Sequence, residues 1–195
     1  MQKHPNLGRG EQVTLVVNLY GGPGTGKSTT AAWLFAQLKL AGLNAELVRE
    51  VAKEWCWSGR TIHEADQHTI LDAQIERERM LYGQVDVIVT DSPLPVNAFY
   101  ARKYCSEQTA RTCEARVRRE REYFTQIKHV DYWLVRSKAY DQRGRYQTEE
   151  QALEVDREQR PYVEAFLGEP LHVSETAPDP RLVTDVMLHW SGRNR

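Results

Sequence analysis

Eight consecutive residues, Gly21-Gly22-Pro23-Gly24-Thr25-Gly26-Lys27-Ser28, hold the most explicit chemistry in this chain. They fit the pattern G-x-x-x-x-G-K-[ST] of a phosphate-binding loop. Phosphate oxygens need several donors at once, and glycines let consecutive backbone N–H groups turn inward without a Cβ clash. A helix starting directly after the loop adds the positive end of its dipole. The expected triphosphate ligands are therefore Gly22, Gly24, Thr25, Gly26, Lys27, Ser28 and Thr29. Lys27 is expected to reach the β- and γ-phosphates, and Ser28 to ligate Mg²⁺.

A second carboxylate is expected on the metal at the end of a neighbouring strand. Asp91 closes the largely apolar run 85–90 (VDVIVT) and takes that role, with helix capping before Pro93 as the alternative. An ATPase motor usually places a Glu directly after this Asp to activate water, whereas here Ser92 and Pro93 follow. No Asn-Lys-x-Asp motif for reading guanine occurs anywhere in the chain. A kinase has reason to leave water unactivated, because hydrolysis competes with transfer.

The acceptor side is less explicit. Glu50, at the end of the run 45–49, is placed to accept the acceptor's hydroxyl proton, or else is only an acidic residue at a helix N-terminus. Trp55 and Trp57 are two apart and cannot share a helix face, so one is a candidate to stack on a base while the other packs, with core packing the alternative for either. Gln74 and Arg77 are candidates to hydrogen-bond a base or phosphate, with an ordinary surface-helix role as the alternative. Residues 136–146 (RSKAYDQRGRY) form a basic loop with a flexible point at Gly144. Arginines arriving with such a lid stabilise charge on a migrating phosphoryl group, and Arg143 and Arg145 are the candidates.

These residues need a scaffold that brings them to one edge. The periodicity predicts strands over 13–20, 45–49, 85–90 and 132–135 and an edge strand over 171–173. Helices are predicted over 27–40, 63–82, 95–104, 107–128, 148–166 and 180–190. Thr148 and Gln151 have capping-box spacing, and Pro161 is a point where its helix can kink. Strands alternating with helices argue for an α/β fold, a parallel sheet covered on both faces with its active edge at the strands' C-terminal ends. With 195 residues, one domain over 1–195 is expected, preceded by a loose arm over 1–11 and bearing a lid at about 137–147.

Composition narrows the partners. A formal net charge of −1 supplies no global field toward nucleic acid or membrane. The apolar runs are strand-sized, far short of a bilayer span, and Met1 to Pro5 carries no apolar leader. Cys56, Cys105 and Cys113 form no Cys-x-x-Cys pair, which suits reduced thiols in a cytoplasm.

Taken together, the phosphate loop, Arg49-Glu50-Val51-Ala52-Lys53, Asp91-Ser92-Pro93 and the Gly144-Arg145 lid resemble small P-loop kinases encoded by tailed phages. Those are similar in turn to the nicotinamide riboside kinase and deoxynucleoside kinase group. The likeness runs over about 13–166. It implies a three-layer P-loop NTPase fold of nucleoside/nucleotide kinase type, ATP and Mg²⁺ as cofactors, Glu50 as base, and catalytic arginines in the Arg143/Arg145 region. It also implies a host-cytoplasm location for a phage protein.

The expected activity is transfer of the γ-phosphate of ATP to a hydroxyl of a nucleoside-like acceptor. The preferred acceptor is the hydroxymethyl group of 5-hydroxymethyluracil in phage DNA, which the phage branch of the resemblance suggests. A free nucleoside or nucleotide is the alternative within kinases, and an ATP-gated binding module or ATPase the alternative of another class. A DNA acceptor calls for a backbone-binding patch, for which Arg111, Arg116, Arg118, Arg119 and Arg121 are candidates, though interleaved with Glu114, Glu120 and Glu122.

Overall fold

The computed structural model describes residues 12–192, so the arm expected over 1–11 lies outside the described residues. Five strands, β1 (Thr14–Tyr20), β2 (Ala45–Val48), β3 (Val87–Thr90), β4 (Ile127–Leu134) and β5 (His172–Ser174), form one sheet in the order β2-β3-β1-β4-β5. Every pairing is parallel. The chain leaves β1 and returns to the outer strand β2 before filling the slot beside β1 with β3. The carboxyl ends of β1 and β3 therefore flank a switch point, the crevice where open α/β sheets bind ligands.

The pleat explains the layers. Leu15, Val17 and Leu19 point to one face, where α1 (Lys27–Leu40) and α7 (Arg181–Ser191) bring Leu34, Leu38, Leu182 and Val186. Val16, Ile88 and Ile127 point to the other, toward Tyr82 and Val85. On that side α3 (Asp66–Arg79), α4 (Leu94–Tyr104), α5 (Glu107–Tyr123) and α6 (Glu149–Leu167) share a core containing Leu71, Leu94, Ala98, Val117 and Phe166. The result is the three-layer α/β architecture with a parallel sheet flanked by helices.

Three elements differ from expectation. β4 begins at Ile127 rather than 132, in register with Thr14 of β1, so α5 stops at Tyr123 instead of running to 128. Lys128, His129 and Asp131 hid the strand, because a polar run carries no apolar signature even where Asp131 is buried beneath Tyr20 and Arg121. A short helix, α2 (Val51–Trp57), fills a stretch with no assigned element. The capping box on α6 is present in both directions, Gln151 N to Thr148 at 3.3 Å and Thr148 N to Gln151 at 2.9 Å. α6 continues through Pro161 as one element.

Candidate active site

The loop after β1 folds over its own lysine. Lys27 Nζ donates to the carbonyl oxygens of Gly21 and Gly22 at 2.6 and 2.9 Å, and Thr25 Oγ1 donates to Gly22 O at 3.1 Å. Gly24 sits at φ +86°, and a Cβ there would strike the Tyr140 ring and Arg136 Nη1 at 2.9 and 3.2 Å, so both the backbone and the lid require glycine. α1 starts at Lys27 with no side-chain cap at Gly26, leaving its first amides to a ligand.

Two residues of α6 hold this loop from behind. Asp156 Oδ1 accepts from Gly22 N at 2.9 Å, and Gln159 Oε1 accepts from Gly21 N at 3.3 Å. The other Asp156 oxygen accepts from Arg136 Nε at 2.5 Å, while Arg136 Nη2 donates to Pro23 O at 2.7 Å. Arg136 Nη1, beside Gly24, is buried without a partner. A guanidinium with an unused donor at a phosphate loop is a ready anion contact. In the sequence Arg136 is one cation of the basic loop with no distinct role; its position two residues beyond β4 is the signal that sets it apart.

β2 and β3 deliver the carboxylates. Val48 pairs with Thr90, so the residues just beyond meet, and Glu50 N donates to Asp91 Oδ1 at 3.1 Å. Glu50, Asp91, Lys27 and Ser28 line one cavity of about 410 Å³. Burial pushes the Lys27 ammonium below the usual lysine range, against the pull of Glu50 and Asp91. Burial lifts the Glu50 carboxyl above the usual carboxylate range; Lys27 opposes that lift and Asp91 adds to it. Two carboxylates and the Ser28 hydroxyl are hard oxygen donors of the kind Mg²⁺ prefers, and their mutual repulsion is what a cation would relieve. Among the described residues no three His, Cys, Asp or Glu side chains form a metal cluster. Lys53, one turn after Glu50, places Nζ 3.3 Å from Ser28 Oγ.

The basic loop over 137–147 separates its two arginines. Arg145 lines the cavity, hydrogen-bonded to the carbonyl of Asp141 and lying 5.6 Å from the Tyr140 ring. Arg143 does not reach it: its guanidinium forks onto Asp141 at 2.6 and 3.0 Å and its side chain is 86% exposed. Tyr146 OH donates to Arg60 O at 2.6 Å, which fastens this loop to the turn after α2.

For several other candidates the structure favours the alternative to a role at the site. Gln74 is buried and accepts from Val51 N at 3.3 Å, and Arg77 grips Glu54 at 2.7 and 3.0 Å and Arg49 O at 3.2 Å. Both therefore fix α2 and the end of β2. Trp55 lies under Arg60 and Trp57 against Gly144, and neither lines the cavity. The arginine patch on α5 is largely engaged. Arg111 pairs with Glu107, Arg116 with Asp72, and Arg121 with Asp131 at 3.0 Å, while Arg118 covers the Phe166 ring and donates to Phe166 O. Arg119 is exposed. No helix of the described residues is long and apolar enough to cross a membrane.

A family model described as an AAA domain matches residues 16–175. No curated protein matches the sequence. Among solved structures, the NadR protein in complex with NR is 17% identical with a TM-score of 0.69, over 93% of this chain and 53% of that one. The NadR protein in complex with NAD and AMP-PNP is 18% identical, with a TM-score of 0.63 over 93% and 51%. This chain thus spans about half the length of NadR. The deoxyadenosine kinase from M. mycoides with bound dATP is 12% identical, with a TM-score of 0.54 over 92% of this chain and 99% of the other. At these identities the likeness is one of fold.

Proposed function

This chain belongs to the AAA domain family, and we propose that it works there as an ATP-dependent phosphotransferase with a hydroxyl acceptor. The observation that carries the reading is the Glu50 carboxyl held opposite Lys27 in one lidded cavity, with Ser92 and Pro93 rather than a carboxylate after Asp91. The fold shared with a deoxyadenosine kinase and with NadR, seen with NR or with NAD and AMP-PNP, supports ATP and a nucleoside-like acceptor.

In this reading Gly22 to Thr29 and the start of α1 wrap the triphosphate, and Lys27 leaves the loop carbonyls to follow the γ-phosphoryl group. Ser28 and Asp91 would hold Mg²⁺, which neutralises phosphate charge when bound. The acceptor oxygen attacks the γ-phosphorus, Glu50 takes the hydroxyl proton, and ADP departs. A carboxyl lifted by burial is a stronger base than an ordinary one. Arg145, and Arg136 through its free Nη1, bring positive charge to the equatorial oxygens. Arg143 keeps a part only if the lid rearranges on binding.

The acceptor that the geometry favours is free and nucleoside-sized, because the lid fastened to Arg60 and Trp57 roofs the cavity. A hydroxymethylated base in phage DNA would have to enter flipped, and the α5 arginines expected to grip its backbone are engaged elsewhere. One experiment tests both levels: γ-labelled ATP with Mg²⁺ is offered to a free nucleoside panel, hydroxymethyluracil-containing DNA and unmodified DNA. Label on a nucleoside, with ATP consumption nearly idle without acceptor, is expected. Label retained on modified DNA would restore the DNA acceptor, and rapid hydrolysis with no labelled acceptor would turn the reading toward an ATPase.

A further inference from the structure

One wall of the cavity has a group the transfer chemistry does not use. α4 starts directly after Asp91-Ser92-Pro93, and its residues Asn97, Tyr100 and Tyr104 follow at i, i+3 and i+7, so they share the face turned to the cavity. The Tyr100 and Tyr104 rings stack at 6.0 Å and 11°. Asn97 is only 8% exposed, yet neither atom of its amide bonds to a described residue, and Nδ2 is buried without any partner. Ile70 and Gln67 of α3 and the neighbouring Val96 line the same cavity. Buried amides in folded proteins are almost always paired, and an unpaired one is costly unless something outside the chain completes it. Apolar walls with a few converging polar groups are the usual make-up of a site for a planar organic ring.

We propose that Asn97 is the specificity-determining residue of the acceptor subsite. Its amide pairs edge-on with a planar nitrogen heterocycle that presents a hydrogen-bond donor and acceptor side by side, as nucleobases do. The inference rests on the phosphotransferase reading and names the part of the acceptor which that reading leaves open. The amide offers one donor and one acceptor in a plane, so it matches such an edge with two bonds and rejects rings whose edge is blocked. The ring lies between the α3 side and Val96, which leaves its sugar hydroxyl directed toward Glu50 and the phosphate loop.

The test compares uridine and inosine with their ring-N-methylated analogues, in the wild type and in Asn97→Leu and Asn97→Asp. The wild type is expected to favour at least one unmethylated nucleoside by roughly 10- to 100-fold in kcat/KM. Asn97→Leu, close in size, should erase that preference by raising acceptor KM while the KM for ATP stays put. Its melting temperature should hold or rise, since an unpaired amide is removed; Asn97→Asp, with two acceptors, should lose the preference too. An unchanged preference in Asn97→Leu, or an ATP KM that moves in step, would overturn the inference. Binding of the same nucleosides by calorimetry decides it even without turnover: no binding by the wild type, or equal binding by Asn97→Leu, sinks it. Transfer to a ring-free polyol with every nucleoside inert would sink Asn97's role and leave the kinase standing, whereas no transfer to any acceptor would remove the kinase reading itself.

Discussion

Gly144, at φ +69° in the lid, lies so close against the indole of Trp57 that a Cβ there would run into the ring. Gly144 lines the cavity and Trp57 closes α2, so their contact is where the loop over 137–147 rests on α2. Gly144→Ala combines a disfavoured backbone with a steric block. We expect it to lift the lid and lower kcat by about tenfold or more, with ATP affinity little changed. In a Trp57→Ala background the steric part of the loss should shrink, and strict additivity in the double variant would show that the contact does not gate the reaction.

Lys27→Ala should abolish transfer, because the cation that tracks the migrating charge is gone. Its far-UV spectrum should be unchanged, since Lys27 bonds only to carbonyls of its own loop. Near-normal turnover in a folded variant would contradict the phosphate-loop assignment.

Glu50 must be ionised to accept a proton, and burial raises its pKa. Activity should therefore fall as pH drops through a value above the ordinary glutamate range of about 4.3. Glu50→Gln should lower kcat by about 10²–10⁴ and remove that acid limb, leaving ATP binding intact. A loss confined to acceptor KM would recast Glu50 as a positioning residue.

Asp156 ties Gly22 N to Arg136, and Asp156→Ala leaves that half-buried guanidinium without its carboxylate. We expect a loss of stability of a few kcal/mol, at the scale of about 3–5 kcal/mol seen when one partner of a buried pair is removed, and a weaker hold on ATP. Asp156→Asn, which still accepts from Gly22 N, should recover part of the ATP affinity. Identical ATP affinity in all three proteins would mean that the loop keeps its shape unaided.

Glu78, 1% exposed, accepts from Tyr82 OH at 3.1 Å and has its other oxygen buried without a partner. Burial raises its pKa to about 8, which the Tyr82 bond opposes. The folded state then holds a proton that the unfolded chain releases near the ordinary glutamate pKa of about 4.3. The stabilisation is fully present below that value and is lost as pH rises toward about 8. Denaturant melts across this window should show the decline, on the order of a few kcal/mol at most. Glu78→Gln should flatten the curve and raise the melting temperature on its alkaline side; an equal slope in the variant would place the effect on another group.

The sequence by itself determined the phosphate loop, the strand before it, the helix after it and Asp91 at the end of β3. These depend on short-range rules: glycines set the turn, a lysine and serine follow at fixed offsets, and β-branched runs mark buried strands. The α6 capping box was legible for the same reason, as its partners are three residues apart. Tertiary structure decided which arginine lines the cavity, because Arg143 and Arg145 are equivalent in the sequence until Asp141 captures one. It decided that Arg136 sits at the loop, that Gln74 and Arg77 brace α2, and that most of the α5 arginines are paired. It also decided that β4 starts at Ile127, where pairing with Thr14 outweighs a polar run. Each of these outcomes depends on partners many residues away, and the direction of a long polar side chain is fixed by the partner it finds in the packed chain.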